Sequence, residues 1–288
     1  GGLTGSQVGA LTTTQVGALT TTQLGTLTAT QIGGLGLAQV GALTTTQLGA
    51  LATTQIVGLS STQVAALTTT QLGALTSTQV GGLTAAQMGG FNTTDIAALT
   101  TTQVAGLKSS QIAALTTTQL AGFETTDLAT LTTTQIRGLG TSQVAGLNTT
   151  QIGALTTTQV AALASTQLGG LTTAQVAALT TTQLGAIGTS ALGGLATSRI
   201  AALTTTQVAA LTTTQVAALR AAQVAGLETS DIAALTTTQI GALSTTQLAA
   251  LSTTQLRGLE TTDLAVLTTT QVRGLTASQL GSLTTTQV

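Results

Sequence analysis

Large apolar residues recur along this chain at alternating spacings of five and three, and the pattern closes on itself every eight residues. Cut into eights from Gly1, the 288 residues divide without remainder into 36 octads, so the repeat is the first property to explain. The unit reads Gly/Ala-Ala/Gly-Leu-Thr-Thr-Thr-Gln-Val/Ile/Leu. Leu holds the third position except at Phe91, Phe123 and Ile187, and the eighth is Val, Ile or Leu apart from Met88.

Two local structures fit this unit. The helical one begins with Thr-x-x-Gln, as at Thr12 to Gln15, which is a capping box: the Thr hydroxyl satisfies one orphan amide and the Gln side chain reaches back to another. Leu11 precedes the cap and Val16 follows it at the spacing of a hydrophobic staple, while Val16 and Leu19 share a face three apart. Each octad then encodes a helix start, about a turn and a half of helix, and the apolar residue that introduces the next start. Four octads carry Asp in place of Gln, at Asp95, Asp127, Asp231 and Asp263, with Asn92, Glu124, Glu228 and Glu260 at the cap. Carboxylates in a first turn suit the positive end of the peptide dipoles. Lys108, Arg220, Gly36, Gly140 and Gly188 at other caps do not follow this rule.

The alternative is β. Thr-Thr-Thr-Gln-Val is rich in β-branched residues and is flanked by Gly and Ala that can turn corners, so stacked coils would align Thr and Gln ladders in a β-solenoid. An unbroken strand would point the third and eighth positions to opposite faces, and this reading therefore needs a corner inside each octad. The helical reading is taken first and the β-solenoid is held open.

An isolated octad buries two large aliphatics, too little to offset the conformational entropy of ordering eight residues. The octads must stack on one another, which is the logic of a solenoid. Gly at the second position hints at the pitch, running from Gly2 through Gly34, Gly58 and Gly90 to Gly258 in steps of 24 or 32 residues. The mean step is about 28 residues, or roughly 3.6 octads per superhelical turn. Gly82, Gly106, Gly138 and Gly274 lie outside that series, and the acidic octads lie near its phase. The expected architecture is a single continuous array over residues 1–288, with short helical turns, one per octad, coiled into a superhelix that has one decorated and one uniform face.

Composition narrows the function. His, Cys, Trp, Tyr and Pro are absent, and six basic residues stand against seven acidic ones. Without His or Cys there is no imidazole base, no thiolate and no zinc site of the usual ligand types. We therefore assign no catalytic, cofactor-binding or metal-binding residue and expect a non-enzymatic protein. A net charge of −1 lacks the basic footprint that phosphate backbones require, which argues against nucleic acid as a partner. Mean hydropathy is positive, yet Thr and Gln interrupt every octad, so no membrane span is expected. Gly1 is not an initiator Met and no basic segment precedes an apolar core, so the chain reads as a processed product or a segment of something longer. Ordinary small-domain surfaces carry about 25 to 35% charged residues. A face of uncharged Thr and Gln lacks that protection, and the expected partner is the chain itself.

Individual departures from the unit have two readings each. Phe91 and Phe123 either fill Leu positions in the core or mark a docking site. Glu124 with Asp127, Glu228 with Asp231 and Glu260 with Asp263 are solvated helix starts, or weak cation sites with few of the six to eight oxygens Ca²⁺ takes. Arg199, one octad after Ala191, replaces the repeating Gln and is drift in a tolerant array or a hinge. Arg137, Arg257 and Arg273 open their octads and are expected to pair with acids on neighbouring coils.

Leu-Thr-x-x-Gln-Val resembles the helix start of TAL-effector repeats over six residues per unit, without their second helix or base-reading loop. More broadly, the Thr-Thr-Thr-Gln-Val-Ala-Ala-Leu arrays resemble octapeptide tracts of large bacterial surface and secreted repeat proteins across all 36 octads. That resemblance implies an extracellular or cell-surface location and a stalk, adhesin or matrix-fibre role. The leading expectation is a self-associating structural filament. A passive spacer in a giant adhesin and an ice-binding Thr face on a β-solenoid are the alternatives.

Overall fold

The computed structural model describes residues 2–288. Among them the chain forms 35 short α-helices and no strand, one helix to an octad, from Gly5–Gly9 to Ala277–Ser282. The β-solenoid alternative is thereby overturned, and the ice-binding reading that needed a flat β face falls with it. The physical reason lies in how the three Thr positions divide. In the octad of Thr12 only the cap Thr is extended (φ −74°, ψ 159°), while Thr13 and Thr14 already belong to the helix Thr13–Ala18. The cap satisfies backbone donors at once, and this local gain outweighs the β preference of a Thr run.

Each helix runs four to six residues and stops at the Leu of the next octad. Leu19 ends its helix in an extended conformation (φ −62°, ψ 134°), with its N–H donating to Val16 O at 3.2 Å. The extended Leu-Thr pair then leads into the next cap. No residue has a positive φ and no peptide bond is cis, so the turn between helices needs no special residue.

The chain divides into two compact units, Gly1–Leu147 and Asn148–Val288. Within each, every helix packs on the helix three places away, as Gly5–Gly9 does on Ala29–Gly33 and Thr205–Ala209 does on Thr229–Ala234. Helices this short are unstable alone, and the packing of their apolar faces supplies what propensity cannot. The eighth-position side chains form the centre of each unit: Ile32, Leu48, Leu72, Ile152 and Leu248 are fully buried. Third-position residues such as Leu75, Phe91 and Leu219 line the same core, between 3% and 5% exposed.

Where coils touch most closely, the second position is Gly. A Cβ on Gly58 would lie closer than 3.0 Å to Ala29 O, and one on Gly194 would crowd Ser165 O in the same way. Gly82 and Gly274 lie outside the regular series, yet they meet the equivalent Thr53 and Thr245. All four contacts therefore follow a single rule of coil approach.

Candidate functional site

The element repeated most faithfully is a two-ended bridge made by the seventh residue. In the octad of Gln103, Oε1 accepts the N–H of Thr100 at 2.8 Å, and the Gln103 N–H donates to Thr100 Oγ1 at 3.3 Å. This is the reciprocal capping box expected from Thr-x-x-Gln. The other end of the side chain leaves the octad altogether. Gln103 Nε2 donates to Leu75 O at 2.6 Å and to Leu72 O at 2.8 Å, 28 and 31 residues earlier.

The same offsets recur in both units. Gln47 reaches Leu19 O at 2.7 Å and Val16 O at 3.0 Å, and Gln247 reaches Leu219 O at 2.7 Å and Val216 O at 2.9 Å. One amide thus satisfies a helix start in its own coil and closes the Leu carbonyl that the extended Leu-Thr link leaves unbonded in the coil beneath. The glutamines that do this are buried, 2% exposed at Gln103 and Gln247. Among the described residues no buried side-chain nitrogen or oxygen lacks a hydrogen-bond partner.

The departures from the unit can be read against this bridge. Asp127 keeps the capping half: its Oδ2 accepts the Glu124 N–H at 3.2 Å. Asp95, Asp231 and Asp263 do the same with Asn92, Glu228 and Glu260 at 2.9, 3.1 and 3.2 Å. A carboxylate has no amide hydrogen to give, so the carbonyls 28 residues earlier, those of Leu67, Leu99, Leu203 and Leu235, receive no glutamine donor. All four aspartates are buried, and their cap partners Glu124, Glu228 and Glu260 are exposed. Burial holds the carboxyls of Asp127 and Asp231 above the ordinary 3.8, opposed by the N–H of Glu124 and Glu228 and reinforced by those residues' own negative charge. Among the described residues no three acidic side chains converge into a metal-holding group.

Arg199 replaces Gln without abandoning the bridge, because its Nε donates to Leu171 O, 28 residues earlier. It gives up the cap, and Ala196 makes no side-chain cap bond. Ala191 has neither end of the bridge, and its helix Thr189–Leu192 is one of the shortest. Phe91 and Phe123 are 3% exposed in ordinary Leu positions, and the carbonyl of Phe91 takes the amide of Gln119 at 2.7 Å. The core reading of Phe91 and Phe123 agrees with this placement. Arg257 and Arg273 stand exposed in the last turn of their helices and form no ion pair with an acid among the described residues. There a cation meets the negative end of the peptide dipoles, in place of the cross-coil pairing expected for them. Arg137 also occupies a last turn, that of Thr133–Gly138.

The amide bridge and the cap that feeds it fall on one short motif, Leu-Thr-x-x-Gln with a small residue before it. The model of the ALTTAQ repeat matches this motif in seven stretches, residues 45–77, 88–123, 120–157, 157–189, 184–221, 224–261 and 257–288. The chain belongs to the ALTTAQ repeat family. The family's name spells positions two to seven of the octad, as in Gly-Leu-Thr-Thr-Ala-Gln at Gly170 to Gln175. What defines an ALTTAQ repeat is therefore the small residue of the coil contact, the core Leu, the cap Thr and the bridging Gln. No curated protein matches the chain. The second half of the bridge was missed by reasoning from sequence alone, although a signal for it was present: the seventh position is never Glu, which would serve a capping box equally well.

Proposed function

We propose that this ALTTAQ array is a structural scaffold, an extracellular or cell-surface filament, fibre or stalk that extends by stacking repeats and associating with copies of itself. The observation that carries the reading is the self-similarity of the bridge, since the surface each coil offers to the next is the surface it received. The superhelical pitch that goes with it is close to 28 residues, three and a half octads, each helix lying over the junction of the octads three and four places before it. The exposed fifth- and sixth-position Thr side chains carry no charge to keep copies apart.

We assign the scaffold no catalysis, cofactor, metal or nucleic-acid partner, because the chain has no His or Cys, few charges and buried amides committed to bridges. The extracellular setting rests on the resemblance of all 36 octads to surface and secreted tracts. No helix is long and apolar enough to cross a membrane.

Electron microscopy of the purified chain across a concentration series tests the proposal. Filaments or bundles that lengthen with concentration are the expected result. Separate short rods at every concentration would overturn self-association and favour a passive spacer in a larger adhesin. Surface labelling of the producing cells tests the location, and a signal confined to the cell interior would refute it.

A further inference from the structure

We infer that the two end faces of the array are complementary docking surfaces for each other, so that a second copy of this chain adds head to tail in the register of an interior coil. The inference rests on the self-association reading and specifies the contact. In interior coils the glutamine is buried by the coil before it, and the eighth-position side chain is buried by the coil after it. At the first coil Val8, Val16 and Leu24 are buried, but Gln7, Gln15 and Gln23 are exposed, and their amide nitrogens donate to no carbonyl. Leu3, Leu11, Leu19 and Leu27 border a shallow apolar depression there, with Leu3 50% exposed.

The last coil shows the opposite pattern. Gln271 and Gln279 are buried, whereas Val272 and Leu280 are 40% and 44% exposed. The carbonyls of Leu267, Leu275 and Leu283 accept no bond from the chain. Because the chain contains a whole number of octads, a second copy counted on from Val288 keeps the repeat in phase. Its Gln7, Gln15 and Gln23 then fall 28 places after Leu267, Leu275 and Leu283, the offset used throughout the interior. Three free donors meet three free acceptors, and exposed Val272 and Leu280 meet the depression beside Leu11 and Leu19. Such a contact is heterologous, using different faces on the two copies, and it leaves a free face at each end for further addition.

Two variants, each altered only at exposed residues, test the inference. One is Gln7→Glu with Gln15→Glu and Gln23→Glu, which keeps the capping acceptor and removes the donors. The other is Val272→Lys with Leu280→Lys. Sedimentation of the 288-residue chain and both variants would be followed over a concentration series, with circular dichroism verifying that each variant retains its helices. The expected result is growth of the native chain in steps of 28.1 kDa, no growth of either variant alone, and two-chain particles when the variants are mixed. Variants that still associate as well as the native chain would overturn the end-face contact while leaving lateral self-association standing. A native chain that stays single at every concentration would overturn both.

Discussion

Gln103 and Leu75 lie 28 residues apart and are joined at 2.6 Å, the Gln amide donating to the Leu carbonyl while its oxygen, at 2.8 Å, holds the N–H of Thr100. The side chain is thus shared between a local and a long-range requirement, and the two can be separated by substitution.

Gln103→Glu keeps an acceptor for Thr100 N–H but removes both donations, leaving Leu75 O buried without a partner. We expect a loss of about 1 to 3 kcal/mol, the cost of stranding a buried polar group. Gln15→Glu, in the first coil where the amide donates to no carbonyl, is expected to change stability by less than ~0.5 kcal/mol. Urea unfolding followed by circular dichroism checks the pair. Equal losses at the two sites would show that capping alone is what glutamine provides.

The reverse change repairs a natural gap. Asp127→Gln places an amide donor 28 residues after Leu99, whose carbonyl now receives none, and retains the acceptor for Glu124 N–H. A gain of about 1 kcal/mol is expected from the new hydrogen bond, read as a higher urea midpoint at neutral pH.

The same aspartates set the pH dependence. Burial raises the carboxyl of Asp127 and that of Asp231 above 3.8, so the folded chain holds those two protons more tightly than the unfolded chain does. The stability they contribute is full below 3.8 and is lost as pH rises through the raised folded values. Protonation also removes a negative charge from a place where other octads put an amide donor. The melting temperature should therefore fall from acid toward neutral pH across that window, and the double variant Asp127→Asn with Asp231→Asn should flatten the profile. A melting temperature that rises over the same window would refute the assignment.

Much of this architecture is legible because its causes are local. Thr12 to Gln15 announces a helix start within four residues, and the pairing of Leu11 with Val16 announces where the chain enters it. The pitch could be read as well, since Gly34, Gly58 and Gly90 mark coil contacts and their mean step matches the observed 28-residue bridge. The destination of the Gln amide was not legible, because nothing near Gln103 encodes a carbonyl at Leu75. For the same reason Arg199 looked like a break in the array, although its guanidinium reaches Leu171 O and continues the ladder. The β alternative survived the sequence because composition favours strands in Thr runs, whereas a cap uses only the first Thr and turns the next two into helix.

The glycines provide a final test, because the same substitution should have opposite signs at two sites. Gly73 ends the helix Thr69–Gly73 with nothing near the place a Cβ would take. Gly73→Ala should stabilise by about 0.4 to 1 kcal/mol, since it restricts the unfolded chain and improves helix propensity. At Gly58 a Cβ would be driven into the backbone oxygen of Ala29, an atom that cannot swing aside. Gly58→Ala must separate two coils and is expected to cost about 1 to 3 kcal/mol, the range for an overpacked interior. Urea midpoints of the two single variants decide the matter. If Gly58→Ala were neutral or stabilising, close backbone approach would not be what Gly supplies at the second position, and the 24- and 32-residue steps would lose their structural explanation.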